Sequence, residues 1–156
     1  MTVDIKILKA NESDLPEILA LQKLCYQENV ARYNDNNIPP MIETVDDLLK
    51  DAQTHIFLKA LNDDKVIGSA RGYNKPEYCY IGRVMVHPDY QNQGIGRKLI
   101  LALENELGGS VFELTAGHLD EKNIALYQKL GYKAYGEKEK VTDTLYFIHM
   151  RKNKTE

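Results

Sequence analysis

The sequence predicts an α/β fold built on one central sheet. Strand-like segments of period two and helix-like segments of period 3.6 are interleaved along the whole chain. Their order reads βααβββαβαββ, which layers helices against a sheet. At 156 residues, 43% of them hydrophobic, the chain is long enough to bury one good core.

Each element has its own signal. "VDIKILKA" (3–10) alternates apolar and polar residues and predicts a strand. "NESDLPEILALQKLCYQE" predicts a helix: Asn11 or Ser13 can cap it, Pro16 fits its first turn, and Leu15, Ile18, Leu19, Leu21, Leu24 and Cys25 form a stripe. Residues 29–43, "NVARYNDNNIPPMIE", lose periodicity and fill with Asn, Asp and Pro, which predicts a long loop serving as a lid, a binding segment or a mobile connection. "TVDDLLKDA" (44–52) predicts a short helix capped by Thr44. "HIFLKAL" (55–61), the turn "NDDK" and "VIGSARGY" (66–73) predict a hairpin, and "YCYIGRVMV" (78–86) a third consecutive strand. "GRKLILALENEL" (96–107) predicts a helix with Leu99, Ile100, Leu103 and Leu107 on one face, stopped by "GG". "SVFELTA" (110–116) predicts a strand and "DEKNIALYQKLG" (120–131) a helix ending at Gly131. Two strands, "YKAYGEKE" and "TDTLYFIHMR", complete the chain.

Composition excludes several classes. A net charge of −3 and a pI near 5.8 give no basic footprint for nucleic acid. No apolar run approaches the roughly 18 residues of a membrane span, and "MTVDIKILKA" has neither the basic start nor the apolar stretch of a signal peptide. Cys25 and Cys79 lie far apart without metal-type spacing, so the expectation is a reduced, cytoplasmic chain without a metal. Cys25 lies on a helix stripe and is expected to pack, and Cys79 has no histidine partner in sequence reach.

The chemistry concentrates in "HPDYQNQGIGRKLI" (87–100), where Gly94 and Gly96 stand at the mouth of a helix. Glycine costs roughly 1 kcal/mol relative to alanine inside a helix, so two together suggest a task for bare backbone. A helix start offers unpaired N–H groups and a partial positive charge, which together bind phosphate. A P-loop would need Lys followed by Ser or Thr, which "GIGRKL" lacks, and a dinucleotide fingerprint would need a third glycine where Leu99 stands, although Glu113 sits at a fitting distance for a ribose acid. A tight turn with no ligand remains the alternative for an isolated G-x-G.

The stretch "VHPDYQNQGIGRKLI" resembles the coenzyme A loop of the GNAT superfamily of N-acetyltransferases, Q/R-x-x-G-x-G/A after a strand ending in V-x-P, through Val86, Pro88, Gln91, Gly94 and Gly96. "NIALYQKLGY" is similar to the family's N-x-A-L-Y-x-K-L-G-F/Y region at Asn123, Ala125, Leu126, Tyr127, Lys129, Leu130, Gly131 and Tyr132. The resemblance implies a single GNAT-like domain over 1–156, with a central, mixed, mostly antiparallel sheet of about seven strands flanked by about four helices. It implies acetyl-CoA lying in an opening between parallel strands 78–86 and 110–116, where pantetheine completes exposed backbone like an added strand. Backbone of Val84, Met85 and Val86 would hold pantetheine, and the amides of Gln91, Asn92, Gln93, Gly94, Ile95, Gly96 and Arg97 the pyrophosphate. Asn123 would contact coenzyme A, or cap its own helix, and Lys98 would mainly meet solvent. Tyr127 would protonate the leaving thiolate, against the alternative of a tyrosine covering core.

Acetyl transfer also needs a neutral amine. Glu77, Tyr78 and Tyr80 are base candidates by position, and His118, just past a strand end, could serve as base or water relay; His87 and His55 earn no role from spacing. The expected activity is direct attack by a primary amine in a ternary complex, with a small-molecule acceptor. The alternatives are a peptide or protein amine, or a non-catalytic acyl-CoA-binding regulatory module. Glu43, Asp46, Asp47 and Asp51 could attract a cationic acceptor or form a solvated helix face. Homodimers are frequent in the resembling family.

Overall fold

The computed structural model describes residues 4–154. The first strand, β1 (Ile5–Lys9), falls inside the expected segment, whose Val3 lies outside the described residues. Asn11 and Asp14 close a reciprocal cap around a 3-10 turn, and α1 (Leu15–Cys25) follows with Pro16 in its first turn.

Residues 29–43 differ from the expected loop. The chain pauses at Tyr26 and resumes as α2 (Gln27–Tyr33), which ends at a left-handed Asn34, and Pro39 then opens the single turn α3 (Pro39–Ile42). Tyr33 and Ile38 pack with Leu145, over a hundred residues later, together with Val30, Met41 and Phe147. That distant apolar partner supplies the stability that local periodicity lacks. Thr44 caps α4 (Val45–Asp51) through a reciprocal bond with Asp47, as its sequence predicts.

The hairpin is β2 (Ile56–Asn62) and β3 (Lys65–Asn74), and β4 (Cys79–Val86) extends it. Helix α5 (Ile95–Leu107), closed by Gly108, leads to β5 (Val111–Gly117), then α6 (Glu121–Lys129). The expected strand at 132–139 is two fragments, β6 (Lys133–Ala134) and β7 (Glu139–Lys140), separated by a positive-φ Gly136. Both fragments pair with β8 (Tyr146–Asn153).

The strands form one sheet ordered β1-β2-β3-β4-β5-β8-β6, with β7 also on β8. Every pairing is antiparallel except β4 with β5. Helix α5 covers one face with Ile95, Leu99, Ile100, Leu103 and Leu107, all predicted as its apolar side except Ile95. Helices α1 and α4 cover the other through Leu15, Ile18, Leu21 and Leu48. No helix among the described residues is long and apolar enough to cross a membrane.

On α5, one charged group sits inside this packing. Glu104 of α5 is 1% exposed; its carboxylate accepts from Tyr132 Oη at 2.7 Å and from Lys152 Nζ at 3.0 Å. These contacts tie α5 to the last strand. Removing one partner of a buried pair strands a charge, which costs about 3 kcal/mol. Lys152→Met should therefore lower unfolding stability by about 3 kcal/mol in urea titrations. Glu104→Gln combined with Lys152→Met should lose less, since the amide still accepts from Tyr132; equal losses would show that the charge is not at stake.

Candidate active site

The site begins with a fault in the β3–β4 ladder. Along β4, Cys79 and Ile81 face the α5 core, so a regular pleat would send Arg83 there too. Arg83 instead takes a left-handed φ of +49°. Ser69 pairs with Met85 and Arg71 with Gly82, so Ala70 faces both Arg83 and Val84. This bulge turns Arg83 toward the α1 face and resets the alternation: Val84 and Val86 pack on the α5 side, Met85 on the α1 side.

Pairing between β4 and β5 is brief. Only Cys79 with Phe112 and Tyr80 with Glu113 are in register; beyond them the parallel strands separate. The separation leaves a cleft lined by residues of both strands. Tyr80 spans it near the closed end, its hydroxyl 3.2 Å from Thr115 Oγ1. Val84 and Leu114 line its sides, Asn123 and Tyr127 of α6 one wall, and Tyr26 and Tyr33 the other.

Tyr127 is 4% exposed and its ring meets Tyr132 edge-on. Its hydroxyl has no protein hydrogen-bond partner among the described residues and it borders the cleft. Burial, with Tyr26, Asp120 and Tyr80 nearby, pushes its phenol far above the ordinary tyrosine value, so it stays protonated and can donate. One turn earlier, Asn123 donates its amide and Nδ2 to the capping carboxylate of Asp120, at 3.2 and 2.8 Å.

Beyond the end of β4 the glycine loop is pinned. His87 Nδ1 accepts from the Asp89 amide, Gln91 Nε2 donates to Val86 O at 3.2 Å, and Asn62 bonds Tyr90 Oη. Gly94 caps α5 with φ +80°, a conformation that side chains resist. Along 91–98 the first amide with a backbone acceptor is that of Lys98, on Gly94 O at 3.1 Å. A Cβ on Gly94 would point into open space, whereas one on Gly96 would rest 3.5 Å from Leu126. Arg97 and Lys98 are exposed.

A second cavity adjoins on the α1 face, lined by Glu43, Asp51, His55, Arg71, Tyr80, Gly82 and Arg83. Glu43 is its hub: Oε1 accepts from Gln22 at 2.8 Å, Arg71 at 2.6 Å and Arg83 at 3.0 Å, and Oε2 from Arg71 at 2.8 Å. Burial alone would raise the Glu43 pKa, but Arg83 and Arg71 hold it below its ordinary value. Burial lowers the His55 pKa, so this imidazole is neutral near pH 7.

The expected residues divide. Val84, Tyr80, Asn123 and Tyr127 border the cleft, whereas Met85, Val86 and the 91–97 loop follow Val84 in the chain and are not among its lining residues. Glu77 is exposed in the turn before β4, at the paired end of the strands, and does not line the cleft. His118 is held by Tyr146, whose amide donates to Nδ1 at 3.0 Å, and its ring packs against Tyr33; it too lies outside the lining. Tyr78 faces Lys75 and Arg151 rather than the cleft. Asp46 and Asp47 are exposed on α4, while Glu43 is consumed by arginines. Cys25 is pushed up to about 12 by burial and Cys79 donates to Asn74 at 2.9 Å, so neither is a ready nucleophile. Sequence reasoning missed Arg83, Tyr26, Tyr33 and Asp120. Only the last carries a local signal, as an N-cap three residues before Asn123.

Comparison with known proteins follows this geometry. A family model described as "Acetyltransferase (GNAT) family" matches residues 15–132. The UPF0157 protein YqkA of Bacillus subtilis (strain 168) is 27% identical over 131 residues, covering 83% of this chain; the chain spans 38% of that relative's length. Among solved structures, the PaiA N-acetyltransferase of Thermoplasma acidophilum in complex with coenzyme A superposes with TM-score 0.75 at 19% identity, covering 96% of this chain and 99% of that one. The ribosomal-protein-S18-alanine N-acetyltransferase of Escherichia coli gives 0.76 at 19% identity over 96% and 94% of the two chains. Smu.2055 of Streptococcus mutans UA159 gives 0.79 at 17% identity over 95% and 98%. At these identities the structural likeness bears on fold.

The Glu43 cluster has a pH signature. Because the folded pKa lies below the ordinary 4.5, its stabilisation is full above that value and is lost as pH falls through the folded pKa. Glu43→Gln should therefore be less stable than the parent at pH 7, by about 3 kcal/mol. Urea midpoints taken stepwise below pH 4.5 should show the gap closing; a constant gap would mean that the carboxylate charge contributes nothing.

Proposed function

The chain belongs to the GNAT acetyltransferase family, and on that premise we propose that residues 1–156 form one N-acetyltransferase domain that transfers acetyl from acetyl-CoA to a small primary amine. The observation that carries this reading is the cleft between β4 and β5, with a protonated Tyr127 on its wall and the open amides of the α5 start beyond the end of β4.

The residues fit the co-substrate. Past Tyr80, the edge of β4 facing β5 has no strand partner, so backbone of Val84, Met85 and Val86 can receive the pantetheine amides as an added strand would. The amides of 91–97 converge with the positive end of the α5 dipole, suited to a pyrophosphate. Asn123 keeps its side-chain oxygen for the ligand while its nitrogens hold Asp120.

Acetyl-CoA supplies the acyl group as a thioester: the acceptor nitrogen bonds the acyl carbon as the C–S bond breaks, within one ternary complex. Net, one proton passes from nitrogen to sulfur. Tyr127 donates to the sulfur as negative charge gathers there. Tyr80, protonated through burial and bonded to Thr115, can pass a proton on as it receives one, which suits a relay. Glu77 and His118 lie off the cleft and take no part in this scheme.

Acceptor size follows from closure. Tyr33 and Ile38 pack with Leu145 and Phe147, and all four line the cleft, which favours a small molecule over an extended peptide. Retention of Tyr127 at the cleft favours catalysis over a passive acyl-CoA-binding module.

Tyr127→Phe removes a donor and almost no packing surface, and the charge it serves develops in the transition state. The kcat for thiol release should fall on the order of 10²-fold while acetyl-CoA affinity and melting temperature hold. Full activity would remove Tyr127 from the mechanism. Gly94→Ala and Gly108→Ala test the loop as a pair, since both glycines are left-handed ends of α5 facing open space. Each should cost about 1 kcal/mol of stability, but only Gly94→Ala should weaken acetyl-CoA binding, by roughly tenfold or more in calorimetry. Equal affinities in the two variants would overturn the pyrophosphate assignment.

A further inference from the structure

Tyr80, Gly82 and Arg83 line both cavities and form their shared wall. Gly82 adds no side chain to this wall, and the Tyr80 ring lies 3.1 Å from where a Cβ would stand. The polar groups on the α1 side are unequally satisfied. Glu43, which alone among the nearby acids is central to this pocket, has both oxygens occupied by Arg71, Arg83 and Gln22. Asp120, the acid of the first cavity, is held by Asn123, with Arg32 3.9 Å away. The remaining acid of this pocket, Asp51, stands apart from Arg83, with its carboxylate 3.8 Å from Arg71 Nη1.

An anion finds donors. Arg83 uses only Nε on Glu43; its two terminal nitrogens have no hydrogen-bond partner among the described residues, and its side chain is 24% exposed. Arg71 is 7% exposed at its side chain and spends one terminal nitrogen on Glu43, while the other, Nη1, is buried with no hydrogen-bond partner. The nearest carboxylate to Nη1 is Asp51 at 3.8 Å, beyond hydrogen-bond reach, on a partly exposed side chain that can swing to solvent. An unsatisfied buried donor calls for a partner, and guanidinium groups match carboxylates in geometry.

Resting on the acetyltransferase reading above, we infer that the acceptor is an amino carboxylate, a primary amine carrying a carboxylate a few bonds away. The carboxylate docks on the terminal nitrogens of Arg83, with Arg71 behind it. Because Arg83 and Gly82 border both cavities, a nitrogen a few bonds from that anchor reaches the β4–β5 cleft. The left-handed backbone at residue 83 then has a substrate-selecting role: a regular pleat would bury this guanidinium under α5.

The test begins with calorimetry of acetyl-CoA on the wild-type chain, followed by thiol release with the proteinogenic amino acids. For each active amino acid, its carboxamide and its decarboxylated amine are measured, and a linear triamine stands for cationic acceptors. The expected result is a kcat/KM for the carboxylate at least about tenfold above that of its neutral counterparts. In Arg83→Gln that preference should shrink to within about threefold. Acetyl-CoA binding with turnover only of amines lacking a carboxylate, or of none, overturns the inference and leaves coenzyme binding standing. A preference retained by Arg83→Gln overturns the assignment to Arg83, and absence of acetyl-CoA binding overturns the acetyltransferase reading together with it.

Discussion

A single residue out of register in β4 organises the site. The left-handed backbone at Arg83 takes the strand out of step with β3, and the Glu43 carboxylate, reaching in from the segment between α3 and α4, holds the displaced guanidinium. On one side of this bulge β4 is paired to both neighbours; on the other it keeps only β3, because β5 has diverged. Buried backbone polar groups need partners, so an unpaired inner edge in the middle of a sheet is costly unless water or a ligand completes it. That cost is the physical reason to regard the opening as a binding site.

The surrounding elements are arranged around this opening. Helix α5 starts where it does because the 87–94 segment is fixed by His87, Gln91 and Tyr90 before Gly94 turns the chain into the helix. Helix α6 is aimed by its Asp120 cap, which sets Asn123 and Tyr127 on the cleft one turn apart. Helices α2 and α3 cover the far side through contacts with Leu145. Electrostatics differs between the two cavities: the phenols of Tyr26, Tyr33 and Tyr127 line the cleft alone, Glu43, Asp51 and Arg71 line the α1 side alone, and Arg83 borders both.

Legibility in the sequence followed the range of the interactions. Helix α5, its Gly108 stop, the Thr44 cap and the three consecutive strands depend on neighbours within a few residues and were readable. The loop glycines and Tyr127 stand in local motifs, and the structure places Gly94 at the start of α5 and Tyr127 on the cleft lining. Helices α2 and α3 were read as loop because their stabilising partner is Leu145, and the 132–139 strand was read as continuous because Gly136 breaks it by backbone conformation. Arg83 looked like one more residue in an alternating strand, and only its register against β3 reveals that it points the other way. Glu77 had position in sequence but lies at the closed end of the strand pair, and Glu43 looked like an open acid although two arginines neutralise it.

On the proposed reading, the β4–β5 opening and the start of α5 together receive acetyl-CoA through backbone groups. Amide hydrogen exchange, resolved by residue with and without coenzyme A, measures those groups directly. Coenzyme A should slow exchange at Val84–Val86 and across 91–97 and leave α1, α4 and the β1–β2 pair unchanged. Exchange at 91–97 that coenzyme A leaves untouched, or protection spread evenly over the chain, would contradict that reading.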